Sequence, residues 1–82
     1  KNVAGDKVSA EVCYEVGEYF FELNDYLEAT IWYYNAAYET ESELNIHYGG
    51  DYPLIKLSEC YRKMGNEEQA DIYQKLAEDW TP

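Results

Sequence analysis

A histidine flanked by two carboxylates is the first candidate for chemistry in this chain, because neutral imidazole and carboxylate oxygens are metal ligands. His47 lies four residues after Glu43 and four residues before Asp51. No cysteine lies nearby, His47 is the single histidine of the chain, and the glycine pair that begins at Gly49 interrupts the segment before Asp51. We therefore interpret His47 as a surface histidine and predict no metal site.

Nucleophilic catalysis would need a cysteine with a base fixed beside it. Cys13 and Cys60 each lie inside a helical pattern, and the sequence fixes no base beside either of them. The acidic pairs are spaced like solvent-facing helix positions, so the chain is predicted to have no catalytic residue and no cofactor. Secreted chains of this size usually carry four or more cysteines, which favours two buried free thiols in a reducing cytoplasm over a single disulfide.

The charge of the chain excludes two classes of partner. The formal net charge is −11; residues 1–50 carry ten acids and two bases, and residues 51–82 carry seven acids and four bases. Nucleic acid and anionic membranes bind mainly through clustered Lys and Arg, so neither is an expected partner. No apolar run reaches membrane-spanning length, and no signal segment opens the chain. Because no Met begins the sequence, we expect a piece of a longer, cytoplasmic protein.

The hydrophobic residues recur at spacings of three and four in four segments, which predicts four helices and no strand. The first helix spans about Asp6 to Asn24, with Asp6 or Ser9 as its N-cap, and Asp25 caps the second. The second runs past residue 40 toward residue 44; the alternative is that residues 42–50 form a loop. The third begins near Pro53 and ends at Gly65 and Asn66, and the fourth covers residues 67–79.

Each helix has a predicted inward face. The residues expected to face inward are Val12, Val16, Tyr19, Phe20, Leu23, Ala29, Trp32, Tyr33, Ala36, Ala37, Leu54, Leu57, Cys60, Tyr61, Met64, Ala70, Tyr73, Leu76 and Ala77.

The two halves of the chain resemble each other at an offset of 41 residues. At this offset Val16 coincides with Leu57, and the asparagine-aspartate turn coincides with glycine-asparagine; further pairs are Phe20 with Tyr61, Ala29 with Ala70, Trp32 with Tyr73, and Ala36 with Ala77. Self-similarity on this scale, with two helices per unit, is typical of a helical repeat whose units bury their apolar faces on one another. We predict one domain over residues 1–82, with repeats at about 6–45 and 51–82.

The positions of the small and aromatic residues resemble the tetratricopeptide repeat, a helical-hairpin unit. The residues that carry this resemblance are Cys13, Val16, Gly17, Phe20, Ala29, Tyr33 and Ala36 in the first unit, and Leu54, Leu57, Ser58, Tyr61, Gly65, Ala70, Ala77 and Pro82 in the second. The resemblance implies two antiparallel helix pairs in a short right-handed solenoid. Two features depart from the family: the period is about 41 where the family has about 34, and Gln74 replaces an expected aromatic.

A second resemblance concerns the segments at residues 17–41 and 49–66. They are similar to helical segments appended to the catalytic domain of some bacterial family 2 glycosyltransferases. That similarity implies an accessory domain of an enzyme that transfers sugar from a nucleotide-sugar donor, and none of the donor or metal motifs of that family lies in this chain.

The resemblance to tetratricopeptide repeats implies a protein-binding groove lined by the first helix of each unit. The residues at those positions are Glu11, Tyr14, Glu15, Glu18, Phe21, Glu22, Tyr52, Ile55, Lys56, Glu59, Arg62 and Lys63. Four glutamates on one helical face repel one another by a few tenths of a kcal/mol per pair, roughly, so one hypothesis is a basic or mixed-charge peptide ligand. The other hypothesis is that Lys56, Arg62 and Lys63 neutralise this stripe of four glutamates, or that the stripe is a solvated face.

Two further expectations concern partners. In some of these repeats, basic and amide side chains clamp a terminal carboxylate; Tyr14 and Glu18 occupy clamp positions here, which argues against an acidic C-terminal tail as ligand. Aromatic residues beyond what two helix pairs can bury indicate docking on another domain of the parent chain or a homodimer. These aromatic residues are Tyr34, Tyr38, Tyr48, Tyr52 and Trp80.

Overall fold

The computed structural model describes residues 9–39 and 51–80, and within these ranges the chain is all-α, with four helices and no strand. The helices are α1 (Ala10–Glu22), α2 (Tyr26–Tyr34, continued by a π-helical turn at Asn35–Glu39), α3 (Asp51–Lys63) and α4 (Glu67–Asp79). The predicted all-α class with four helices is confirmed within these ranges. The expectations for Asp6, His47, Tyr48, Pro82 and residues 40–50 lie outside the described residues.

Local chemistry sets the turn between α1 and α2. Asn24 adopts a left-handed conformation with φ of 64°, and the backbone N–H groups of Asn24 and Asp25 donate to the carbonyl oxygens of Phe21 and Phe20 at 3.0 and 2.9 Å. This pairing is a Schellman motif, which satisfies the last carbonyl groups of a helix. The Asp25 side chain then accepts from the N–H of Glu28 at 3.2 Å and caps α2, as predicted.

The turn between α3 and α4 repeats the same motif 41 residues later. Gly65 has φ of 83°, and the N–H groups of Gly65 and Asn66 donate to Arg62 and Tyr61 at 3.0 and 2.8 Å. Asn66 caps α4 by accepting from the N–H of Gln69 at 3.2 Å. The helix bounds follow the same offset, since α1 at residues 10–22 corresponds to α3 at residues 51–63 and α2 begins at residue 26 where α4 begins at residue 67.

The helices pack mainly in chain order. α1 contacts α2, α2 contacts α3, and α3 contacts α4, whereas α1 and α4 share no principal contact in the part of the chain described. The three-residue connections make α1 with α2, and α3 with α4, antiparallel hairpins. The molecule measures 40 × 29 × 16 Å, so the four helices form a flat row.

The core lies where α3 packs on the first hairpin. Its buried cluster is Ala29 and Tyr33 from α2 with Leu54, Leu57 and Cys60 from α3. The Tyr33 ring lies directly on Gly17, where an added Cβ would come within 2.8 Å of two ring carbons. The glycine therefore allows α1 and α2 to approach with a tyrosine ring between them.

The predicted inward face of α1 is partly wrong. Val12, Tyr19 and Leu23 are exposed, whereas the buried residues of α1 are Ala10, Cys13 and Gly17. Apolar side chains occupy more than one side of α1, and spacing alone does not tell which side meets a neighbour. Tyr33 of α2 packs on Gly17, and α3 contacts Tyr14 and Glu18 on the adjacent side of α1.

Smaller errors of the same kind occur in the second hairpin. Met64 and Leu76, both predicted to face inward, are exposed at 38% and 42%. Met64 sits in the turn after α3, and the small residue Ala70 is the buried position of α4. The inward predictions for Leu54, Leu57, Cys60 and the buried alanines of α2 and α4 are confirmed.

The two cysteines are free and buried, so the single disulfide considered from the sequence does not form. Burial raises the pKa of the Cys60 thiol from its ordinary value of 9.0 to about 12; Lys56 opposes this rise, while Glu59 and Glu18 add to it.

We expect this shift to make the fold less stable at alkaline pH. Below pH 9.0 the Cys60 thiol is protonated in both the folded and the unfolded chain. Between pH 9.0 and about 12 the unfolded chain releases this proton while the folded chain keeps it. The free energy of unfolding therefore falls over this pH range. Urea unfolding at about pH 8 and about pH 10 should show this fall, and the Cys60→Ala variant should show a smaller one. An equal fall in both proteins would contradict the assignment to Cys60.

Candidate functional site

Side chains of α1 and α3 meet along one face of the molecule. The rings of Tyr14 and Tyr52 lie 6.4 Å apart, and the Lys56 Nζ atom lies 4.0 Å from the centre of the Phe21 ring. The same Nζ atom lies 3.3 Å from an oxygen of Glu18. These contacts bring together residues that the sequence placed on the first helix of each unit.

Lys56 is the central cation of this face. Its Nζ atom pairs with Glu59 at 3.1 Å as well as with Glu18, and its side chain is only 19% exposed. Burial lowers the pKa of Lys56, but hydrogen bonds and charge from Glu59 and Glu18 raise it more, so the pKa lies above its ordinary value. Lys56 therefore stays charged and neutralises part of the glutamate stripe on α1. This agrees with the hypothesis that basic residues of α3 offset the charge of these glutamates.

Replacing Lys56 with methionine should lower the free energy of unfolding by about 1 kcal/mol, because methionine keeps the apolar stem but loses the ion pairs and the cation–π contact. The loss should shrink as salt screens the ion pairs. Lys75→Met is the matched control, since Lys75 is 74% exposed and pairs with Asp79 at 3.4 Å. Urea unfolding at two salt concentrations measures both; equal losses would contradict a special role for Lys56.

The expectation that Arg62 also neutralises α1 is wrong. The Arg62 guanidinium turns to α4, where it pairs with Glu67 and lies 3.4 Å from Asp71. It also donates to the Gln74 side chain at 2.9 Å. Arg62 therefore has three acceptors on α4 in place of the glutamates of α1. The sequence could not show this, because it does not fix the distances from α3 to α1 and to α4.

Part of the acidic stripe on α1 keeps its charge unpaired. Glu15 and Glu22 take part in no ion pair within the described ranges 9–39 and 51–80. Both are exposed and share a helical face with Glu18. These two carboxylates are available to a basic group from outside the described residues.

Two open cavities flank α3. The α1–α3 groove has a volume of about 510 Å³ and is lined by Phe21, Glu59, Arg62 and Lys63. The α3–α4 groove has a volume of about 380 Å³. Its lining residues are Ile55, Ser58, Glu59, Arg62, Gln74, Ala77 and Glu78.

Five of the twelve predicted groove residues line these two cavities, and Phe21 is the one of them on α1. Of the α3 residues, Lys63 lines the α1–α3 groove, Ile55 lines the α3–α4 groove, and Glu59 and Arg62 line both. Sequence reasoning missed Ser58, Gln74, Ala77 and Glu78. The replacement of an expected aromatic by Gln74 was the signal that could have located the second groove.

The exposed aromatics are partly as predicted. Tyr34, Tyr38 and Tyr52 are exposed, and the rings of Tyr34 and Tyr38 lie 4.8 Å apart. Trp80 was expected to be exposed, but it is half-buried and packs against the core because α4 ends beside it.

The described residues hold no group of three or more His, Cys, Asp or Glu side chains that could bind a metal ion. None of the described helices combines the length and the apolar character needed to cross a membrane. Comparisons with protein-family models, with curated proteins and with solved structures each gave no match.

Proposed function

We propose that the chain is a non-catalytic protein-binding module, built from two tetratricopeptide-like hairpins, that holds a peptide of basic or mixed charge along the α1–α3 groove. The observation that carries the proposal is a cavity beside the Phe21 ring together with the exposed carboxylates of Glu15 and Glu22 on the same helix, which form no ion pair with any other residue that the structure describes. Aromatic anchors with nearby charge are typical of binding energy concentrated at a few residues.

The repeat part of the proposal is supported by geometry that recurs at the offset of 41. Both hairpins end their first helix with the same Schellman motif and begin their second with an Asp or Asn cap. In each hairpin a small buried residue, Gly17 or Ser58, lies where the two helices approach; the Ser58 hydroxyl donates to the carbonyl of Ala70 at 2.8 Å. Such small residues allow the close contact that the repeat family uses.

The charge of the groove defines the ligand class. Glu15 and Glu22 on α1 attract Lys or Arg, and Lys63, which lines the groove on α3, attracts a carboxylate, so a peptide with both signs of charge suits this face. Phe21 and the ring pair of Tyr14 and Tyr52 supply apolar contact for an aromatic or aliphatic side chain.

A random-sequence peptide library displayed on phage tests the proposal with the 82-residue chain as bait. Enriched peptides should combine basic and aromatic residues, and in NMR titrations they should shift the amide resonances of Phe21 and Lys63. Glu15→Gln should weaken their binding several-fold. Glu68→Gln is the matched control, because Glu68 is an exposed glutamate on α4 that lines neither groove. Peptides without charge preference, or equal binding by both variants, would refute the proposal.

A further inference from the structure

The internal repeat supplies a template for what the α3–α4 groove binds. Five of its lining residues lie 41 positions after residues of the first hairpin: Ile55 after Tyr14, Ser58 after Gly17, Glu59 after Glu18, Arg62 after Phe21 and Gln74 after Tyr33. In the first hairpin, four members of this set contact α3: Tyr14, Glu18, Phe21 and Tyr33.

Three kinds of contact hold α3 on the first hairpin. Leu54, Leu57 and Cys60 form the buried cluster with Ala29 and Tyr33. The Tyr52 ring lies against Tyr14, and Lys56 pairs with Glu18 while lying over Phe21. An amphipathic helix with an apolar stripe and a basic residue beside it therefore fits this surface.

The corresponding surface of the second hairpin is open within the described residues. Where Tyr33 fills the first hairpin and donates to Glu18, the second has Gln74, whose side chain turns to Arg62 and Glu78. The space left is the cavity of about 380 Å³, and Ile55 and Ala77 form the apolar part of its lining. That volume accommodates one large apolar side chain from an incoming helix.

Charge determines which helix can enter. Glu59 takes the place of Glu18, and Lys56 of its own helix already pairs with it at 3.1 Å. Glu59 is half-exposed and Glu78 adds a second carboxylate to the groove lining, so a cation on the incoming helix where α3 has Lys56 is still favoured. A second copy of this chain would present α1, which has Glu15 at that place (56 − 41 = 15) and Glu11 in place of Tyr52 (52 − 41 = 11). Glu15 against Glu59 is a like-charge contact, which argues against a second copy stacking in the same way.

We propose that the α3–α4 groove is a docking site for an amphipathic helix of another protein that carries a Lys or Arg facing Glu59 and a large apolar side chain entering the cavity beside Gln74. The site shares Glu59 and Arg62 with the α1–α3 groove but is otherwise lined by different residues, and the inference does not rest on the function proposed there. Helix-in-groove binding of this kind uses anchors spaced one helical turn apart.

The probe is a synthetic α3 peptide, residues 51–63 with Cys60→Ala, made helical by a lactam between its exposed Glu59 and Lys63 side chains. Titrated into the isotope-labelled 82-residue chain, it should bind saturably and shift the amide resonances of Ile55, Ala77 and Glu78. The same peptide with Lys56→Glu should bind about tenfold more weakly or worse.

Protein variants locate the charge contact. Glu59→Gln in the chain should weaken the α3 peptide several-fold, whereas Glu68→Gln, which changes the net charge equally, should leave binding unchanged. Any of four results would overturn the proposal: no saturable binding, equal affinity of the two peptides, shifts confined to Phe21 and Lys63 of the α1–α3 groove, or shifts at Ala29 and Tyr33, which would mean that the peptide displaces the chain's own α3.

Sedimentation of the chain alone tests whether a second copy of the chain occupies the α3–α4 groove. A monomer at all concentrations agrees with a docking site for a different helix. Concentration-dependent association that shifts the resonances of Ile55 and Ala77 would show that a second copy fills the groove, and the proposal of a basic partner helix would fail.

Discussion

Replacing Tyr33 with alanine should lower the free energy of unfolding by about 3–5 kcal/mol, a large part of the stability of a small domain. The ring is fully buried against Gly17, its centre lies 5.5 Å from that of Tyr14, and its hydroxyl donates to Glu18. Alanine would leave a cavity at the point where α1, α2 and α3 meet, and would remove the hydrogen bond of Glu18 as well.

The neighbouring Tyr34 provides the control for that substitution. It is 43% exposed and contacts Tyr38, so Tyr34→Ala should cost well under half as much as Tyr33→Ala. Urea unfolding followed by circular dichroism measures both. Similar losses in the two variants would mean that the α1–α2–α3 junction does not hold the fold together as described.

The second large effect is expected at Leu57, where alanine should cost about 2–5 kcal/mol. Leu57 is 1% exposed and lies in the cluster with Tyr33 and Ala29, so its loss weakens the contact between the two hairpins. Leu76→Ala is the matched control, because the sequence predicts both leucines to face inward but Leu76 is 42% exposed.

Leu76→Ala should change the free energy of unfolding by less than about 1 kcal/mol. Urea unfolding of both variants measures the difference. The slope m of the free energy of unfolding against urea concentration should be the same in both variants. If Leu76→Ala proved as damaging as Leu57→Ala, the described exposure of α4 would be incorrect.

The sequence predicts helix ends better than helix faces. Asn24, Asp25, Gly65 and Asn66 act through hydrogen bonds to backbone groups within five residues, so their types alone determine the turns. The start of α4 at Glu67 follows from Asn66 in the same way.

The face that a helix buries depends on where its neighbours lie. Val12, Tyr19 and Leu23 satisfy the apolar spacing on α1 as well as its buried residues do, and the position of α2 and α3 decides between them. The same holds for the candidate site. Lys56 pairs with α1 as one hypothesis proposed, but Arg62 pairs with α4, because distances between helices are set by packing and not by spacing along the chain.

The row-like packing of the four helices has a consequence for how the molecule responds to perturbation. Because α1 and α4 share no principal contact among the described residues, energetic coupling between the two ends must pass through α2 and α3. A helix that docks on the α3–α4 groove would therefore slow amide hydrogen exchange most in α3 and α4, less in α2 and least in α1. A helix bound in the α3–α4 groove would affect the α1–α3 groove chiefly through Glu59. Glu59 lines both grooves, and Lys56 pairs with both Glu59 and Glu18.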